Sequence, residues 1–457
     1  MIMKLKASAV GVVKEGATFD VFKFESNESL PPGSYVTTPV NSNSFVLGRV
    51  INAFRTASGS MYEASALEQF FEEGRAISLS EPKEPARPGA SVHVAGGEVI
   101  AQAVGFGENS RRAIYIGESG ACSVLLRPEI LIRHVFIGGT TGVGKSYTVG
   151  IILEELSRLG IPAVVIDSQD EYTNLAQDLS GVVVRPGRDY TVQLSSLTNE
   201  EAVALAASLR GTSGYELFNF SFLALKREVA EGRRAEFNLA DLLRKMESDA
   251  PSLGLDGYQM RMAASRAESS IRRHDFLGVM GKKLDWAGLV KKGLTVNVDC
   301  SRLDLLQLQL VTGATLRELQ KLRLDKKVPP YVLVLDEAHL LAPEEGESPC
   351  KQVIRENVRI GRHYGICVVM VTQNPLDIDK KTISQCNTRF IFALEPDQLS
   401  SLQGVKADIT EDMFRRIPKM PRGTCLLSGT HETVKHAVTV KVRSDRKTRR
   451  RESEGFL

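Results

Sequence analysis

The residues whose types and spacing most directly suggest chemistry are Gly139-Thr140-Thr141-Gly142-Val143-Gly144-Lys145-Ser146. They fit G-x-x-x-x-G-K-[ST], with an apolar strand pattern before and a helical pattern after. The glycines let backbone N–H groups curl around phosphate oxygens at the positive end of the next helix. Lys145 then reaches the β- and γ-phosphates, Ser146 offers its hydroxyl to Mg²⁺, and Tyr147 continues the binding segment. The expected cofactors are ATP and Mg²⁺.

A second group begins with Tyr331–Leu335, a continuous apolar run suited to a strand buried on both faces, which ends in Asp336-Glu337-Ala338-His339. Ligands of open parallel sheets sit beyond such carboxyl ends. Asp336 is read as a Mg²⁺ ligand, direct or through water, and Glu337 as the residue that orients or deprotonates the attacking water. His339 reads equally as a coupling residue or as a packed or solvated one. Gln373, after the strand-like Val368–Val371, can hydrogen-bond the γ-phosphate or the water, or is simply a polar turn residue before Pro375. Asp167 and Glu171, after Ala163–Ile166, either hold water or metal or cap the next helix.

These residues need a scaffold of apolar strands alternating with amphipathic helices, and the chain supplies it from Ile130 onward, the mark of an α/β parallel sheet. Strands are expected at Val135–Ile137, Ala163–Ile166, Leu294–Val298, Tyr331–Leu335, Cys367–Val371 and Arg389–Leu394. Thr424–Leu427 and Ala437–Val442 are expected as closing edge strands. Lys145–Leu159 is the helix after the phosphate loop. Ala202–Leu209, Phe218–Glu228 and Met260–Arg273 carry helical spacing where strand signals are absent, which predicts a helical insertion. Before the α/β region, Ser8–Val13, Val21–Phe24, Tyr35–Pro39, Phe45–Phe54, Ser91–Val94 and Val99–Val104 read as short strands of a small barrel or sandwich. The division is then 1–115 barrel, 116–199 and 289–435 core, 200–288 insertion, and 436–457 C-terminal brace and basic tail.

The chain has 457 residues, 42% of them hydrophobic and 25% charged, which excludes wholesale disorder and suits two or three domains. No apolar run is long enough to span a bilayer. The six cysteines show no paired spacing and read as reduced thiols, so a cytoplasmic location without membrane attachment is expected. The net charge of +3 says nothing about nucleic acid by itself. Local basic patches do stand out at Lys380-Lys381, at Arg272-Arg273-His274 and in the terminal run Arg446–Arg451. Asp377–Thr382 reads as a pore loop holding DNA phosphates or as a solvated loop.

Taken together, these stretches resemble the HerA family of the HerA–FtsK group of hexameric DNA-pumping ATPases. Arg133-His134, the phosphate loop, Asp167–Tyr172, Leu335–His339, Arg359–Gly365 and Val371–Pro375 carry the resemblance. Ile383-Ser384-Gln385-Cys386-Asn387-Thr388 discriminates most, because generic P-loop ATPases lack it. The resemblance implies a RecA-like P-loop NTPase core with an N-terminal β-barrel, a helical insertion and a C-terminal brace. It implies that Lys145 and Ser146 hold nucleotide and Mg²⁺, that Glu337 is catalytic, that Arg362 is an arginine finger, and that Arg133 senses phosphate. A guanidinium supplied by a neighbouring subunit would stabilise the charge spread over the phosphoryl oxygens; the alternative for Arg355, Arg359 and Arg362 is an ordinary solvated helix face. A homohexamer acting on double-stranded DNA as an ATP-driven helicase or translocase follows, with a partner nuclease of the NurA type or another effector. The alternatives are an ATP-binding scaffold ring and a conjugation- or secretion-type pump. One departure stands out: where the family usually has His and Gly between the Asp and Glu of its second motif, this chain has Gln169 and Asp170.

Overall fold

The computed structural model describes residues 8–56, 59–73, 76–106, 112–206, 209–274, 276–278, 283–400, 409–430 and 432–448. Two compact units emerge, one of Met1–Leu131, Phe136–Thr148 and Asn387–Asp445, the other of Ile132–Val135, Val149–Cys386 and Arg446–Leu457.

The first unit opens with strands β1 (Gly11–Val13), β2 (Val21–Ser26), β3 (Tyr35–Asn41), β4 (Ser44–Thr56), β5 (Gly59–Glu73), β6 (Ala76–Ser80) and β7 (Ser91–Val94). Six of them run in the order β2-β1-β7-β3-β4-β5, and pairing of β2 with β5 closes the barrel; β6 adds to β5. Alternation explains the closure. Phe22 and Phe24 point in while Lys23 and Glu25 point out, and the interior fills with Val13, Val36, Val46, Val50, Tyr62 and Val92. Phe24 stacks on Tyr62 at 5.3 Å between ring centroids.

Val99–Val104, expected as a strand, is instead the helix Gly97–Val104. Its buried residues Val99, Ile100, Ala103 and Val104 follow the helical period, and Gly105 ends it in the left-handed region at φ 82. Beyond it, strands Thr388–Ile391, Thr424–Gly429, Val438–Val442, Ile114–Ser119 and Cys122–Leu126 lie side by side, antiparallel, in that order. Thr424–Leu427 and Ala437–Val442 are therefore interior rather than edge strands, because the hairpin 114–126 pairs beyond them through Lys441↔Glu118. Glu68 of the barrel, 1% exposed, meets Lys435 at 2.5 Å and His436 at 2.8 Å.

The second unit carries five parallel strands in the order Val182–Val184, Thr295–Asp299, Ala163–Asp167, Tyr331–Leu335 and Ile366–Thr372. The last four are buried at every residue, which is why they read as unbroken apolar runs. Helices Leu305–Leu324 and Lys351–Tyr364 belong to the same unit; Asp304 with Gln307 forms a capping box at the start of the first. The insertion is helical, as expected, with Asn199–Leu205, Ser213–Ala230, Leu239–Asp249 and Gly257–Arg272. Its core includes Phe222 set edge-on to Phe237. Glu201, fully buried, ties the insertion to Arg317 of helix Leu305–Leu324 by hydrogen bonds of 2.5 and 2.9 Å. Thr448 donates from both its N–H (2.8 Å) and its hydroxyl (2.7 Å) to Glu154 of its own chain. The remaining arginines of the basic tail, Arg449–Arg451, lie outside the described residues. All six cysteines are free and buried. Among the described residues no helix is long and apolar enough to cross a membrane.

Candidate active site

The phosphate loop, Gly139–Ser146, lies between the fully buried strand Val135–Gly138 and the helix Lys145–Leu159. Two glycines are required by geometry. A Cβ on Gly139 would stand 2.6 Å from that of Phe392, and Gly144 has φ +123, a region closed to ordinary side chains. The loop is held by backbone: Thr140 N–H donates to the Ala393 carbonyl at 2.8 Å and Gly423 N–H to the Val143 carbonyl at 2.8 Å. The segments just after strand Thr388–Ile391 and before strand Thr424–Gly429 thus fix the shape that phosphates need. Lys145, 8% exposed, folds over the loop and donates to the Thr140 carbonyl at 2.9 Å. Thr141 and Gly142 are exposed at the crest; Val143, Ser146 and Tyr147 are half-buried.

In the second unit, parallel register brings four strand ends to one edge. Ile166 pairs with Leu335, Leu335 with Met370, and Asp167 with Asp299. Asp167, Asp336-Glu337 and Thr372-Gln373 therefore sit at the carboxyl ends, where ligands of such sheets bind. Asp336 is 4% exposed, and its carboxyl is pushed well above the ordinary range by burial, then by the charges of Asp167, Glu337 and Glu171. A hard divalent cation beside it would offset that repulsion, so the donor chemistry fits Mg²⁺. Among the described residues no three His, Cys, Asp or Glu side chains form a metal site by themselves.

Glu337 is 7% exposed and lies in the left-handed region at φ 46, ψ 49, at the head of the short helix Ala338–Leu341. Few non-glycine residues adopt this conformation, and those that do cluster at functional sites. The Gln169 amide donates to Glu337 Oε1 at 3.4 Å, and His339 Nδ1 lies 3.3 Å from Glu337 Oε2. The same His339 Nδ1 is 3.0 Å from Thr372 Oγ1. His339 Nδ1 thus lies between the Glu337 strand end and the neighbouring strand end.

Asp167 organises the loop that follows its strand. Its carboxylate accepts from the backbone N–H of Gln169 (3.3 Å), Glu171 (3.0 Å) and Tyr172 (3.0 Å), and from Asn297 Nδ2 (3.1 Å). Burial pushes its pKa up against the pull of these bonds. Asp167 thus holds the turn that precedes helix Thr173–Asp178, whose own N-terminus has no side-chain cap. Asn297 was not singled out from the sequence; the signal was a lone amide inside the strand pattern Thr295–Asp299.

The remaining expected residues divide sharply. Arg355 is bound bidentately to Asp379, at 2.7 and 3.0 Å, and Arg359 stands 3.9 Å from Glu356. Arg362, in the last turn of the same helix, is exposed. Arg133 is half-buried at the end of the 3₁₀ helix Pro128–Arg133, and Gln373 is half-buried. The expected pore loop is an anchored segment. Ile378 bridges to Pro343, Asp379 caps the short helix Lys380–Ser384, and Lys380 pairs with Glu344 at 3.1 Å, while Lys381 is exposed.

Comparison with known proteins gives the family and the fold. Residues 114–319 match the family described as "Helicase HerA, central domain", and residues 315–433 match "Helicase HerA-like C-terminal". The DNA double-strand break repair helicase HerA of Pyrococcus furiosus is 23% identical, over 92% of this chain and 90% of its own. That of Sulfolobus acidocaldarius is 24% identical, over 80% and 75%. Among solved structures, VirB4 of Thermoanaerobacter pseudethanolicus superposes with TM-score 0.58 at 14% identity, over 74% of this chain and 98% of that one. The bacterial conjugative coupling protein TrwB gives 0.51 at 13%, over 79% and 94%. At such identities the structures establish the fold, a P-loop ATPase core, and nothing finer. The two family matches run together from residue 114 to 433, and the chain belongs to the HerA helicase family.

Proposed function

We propose that this protein is an ATP-driven motor that moves along double-stranded DNA. In this reading Lys145, Ser146 and the backbone of Gly139–Gly144 hold the nucleotide phosphates, with Thr140, Thr141, Val143 and Tyr147 completing the cradle. Ser146 and Asp336 hold Mg²⁺, which when bound screens the phosphate charge. Glu337 takes the proton of the attacking water and Gln373 orients that water or the γ-phosphate. Arg362 of one subunit reaches the nucleotide of the next, and Arg133 senses the phosphate. The reading extends to a homohexamer, to the five-part division of the chain, and to a nuclease or other effector fed by the ring. A solved TrwB complex contains ADP and Mg²⁺, which supports the choice of cofactors.

The observation that most supports hydrolysis is Glu337 itself, buried at a strand's carboxyl end in a left-handed turn, with the Gln169 amide on Oε1 and His339 Nδ1 3.3 Å from Oε2. A scaffold ring using ATP only to assemble has no need of a water-activating carboxylate so held. ATP turnover of the whole chain, measured with and without linear duplex, tests the proposal. Strong stimulation by duplex is expected; turnover indifferent to DNA would favour the scaffold reading.

A further inference from the structure

We propose that Gln169 is a positioning residue for hydrolysis, holding the Glu337 carboxylate in the orientation from which it acts on water. This rests on the assignment of Glu337 above. Gln169 bridges the ends of two adjacent parallel strands: its backbone N–H donates to Asp167 Oδ1 at 3.3 Å, and its side-chain amide donates to Glu337 Oε1 at 3.4 Å. The loop that carries it is fixed at both ends. Asp167 also receives the N–H groups of Glu171 and Tyr172, and the Tyr172 ring is 1% exposed. Asp170, between Gln169 and Glu171, takes the left-handed conformation at φ 58 that lets the loop turn tightly enough for these bonds. The Gln169 stem therefore has a defined origin, and its amide reaches a carboxylate whose own backbone is set at φ 46.

The residue type suits the place. The negative charges of Asp167, Glu337 and Glu171 all act on the Asp336 carboxyl here. A lysine at 169 would pair with Glu337 and quench its basicity, and a glutamate would add a further negative charge. A neutral amide orients the carboxylate while leaving it an acceptor. Another neutral N–H donor of similar reach, an imidazole, could do the same work. That accounts for a glutamine at a position where the family pattern has histidine.

The test uses the full chain and reads ATP turnover, affinity for a fluorescent ATP analogue, and thermal unfolding. Gln169→Met keeps the side chain's length and removes the donor. It is expected to lower kcat about tenfold or more while KM and analogue affinity stay within about twofold, the signature of an interaction that matters at the transition state. Gln169→His is expected to recover most of that loss. Gln169→Ala, which cannot overfill the loop, replaces the methionine variant if that fails to fold. A donor-free variant with wild-type kcat overturns the proposal, as does a histidine variant as slow as the methionine one. Glu337→Gln, measured alongside, separates the two claims. If it is inactive while Gln169→Met is normal, only the role of Gln169 falls; if it turns over ATP at the wild-type rate, the assignment of Glu337 falls and takes the proposal with it.

Discussion

His134 shows how much one buried side chain can fix. It takes the left-handed conformation at φ 58, next to Arg133, and its ring joins two elements. Nε2 lies 2.7 Å from the Val358 carbonyl, and Nδ1 accepts the Val368 N–H at 3.1 Å. A carbonyl only accepts and an N–H only donates, so the proton is on Nε2 and the ring is neutral. Burial pushes its pKa down to about 4, against the opposing pull of the Val358 hydrogen bond. Between that value and the ordinary one near 6.5 the unfolded chain binds the extra proton, so stability is full above about pH 6.5 and falls as pH drops toward 4. The loss amounts to at most about 3 kcal/mol. Urea unfolding across this range should show a steeper acid decline for the wild type than for His134→Gln; parallel curves would contradict the neutral, buried ring.

Among the elements, the segment 377–384 departs most from what its composition suggests. Asp377–Thr382 reads as a pore loop or a solvated loop, yet Arg355 grips Asp379, and Glu344 holds Lys380 by both its ammonium and its backbone N–H. An ammonium already paired releases few counterions on meeting a phosphate, so Lys381 should carry most of any contact. Replacing both lysines with alanine should reduce the log–log salt dependence of duplex affinity by about 0.9, the value for one phosphate, with nucleotide affinity unchanged. An unaltered slope would remove this segment from the DNA contact. The comparison shows what local pattern can reveal. Tyr331–Leu335 and Ala163–Ile166 were legible because strands buried on both faces are apolar throughout, and the phosphate loop because its glycines answer to backbone geometry. Val99–Val104 misled because a short apolar run suits either period until its spacing is counted. The helix Leu239–Asp249 escaped notice because its short stripe of Leu239, Leu242 and Met246 sits among charged residues. The meeting of Gln169, Glu337, His339 and Thr372 was out of reach, because strand register, not sequence spacing, brings them together.

For the molecule as a whole, the proposed ring requires that each nucleotide be served by two subunits. Arg362 stands exposed at the end of its helix while Arg355 is committed to Asp379, which suits a guanidinium meant for a neighbour. Arg362→Ala and Lys145→Ala proteins should each be nearly inactive, and mixing them should restore part of the ATPase, because some junctions then join an intact Arg362 to an intact Lys145. No recovery at any ratio, in rings proven to be mixed, would count against a shared site. The central claim, however, is movement along duplex powered by ATP, and displacement of a third strand from a linear triplex measures it most directly. Wild-type protein should release the third strand only with hydrolysable ATP, and Glu337→Gln protein should bind the triplex without releasing it. Release by the Glu337→Gln protein, or by wild type with a non-hydrolysable analogue, would contradict the account.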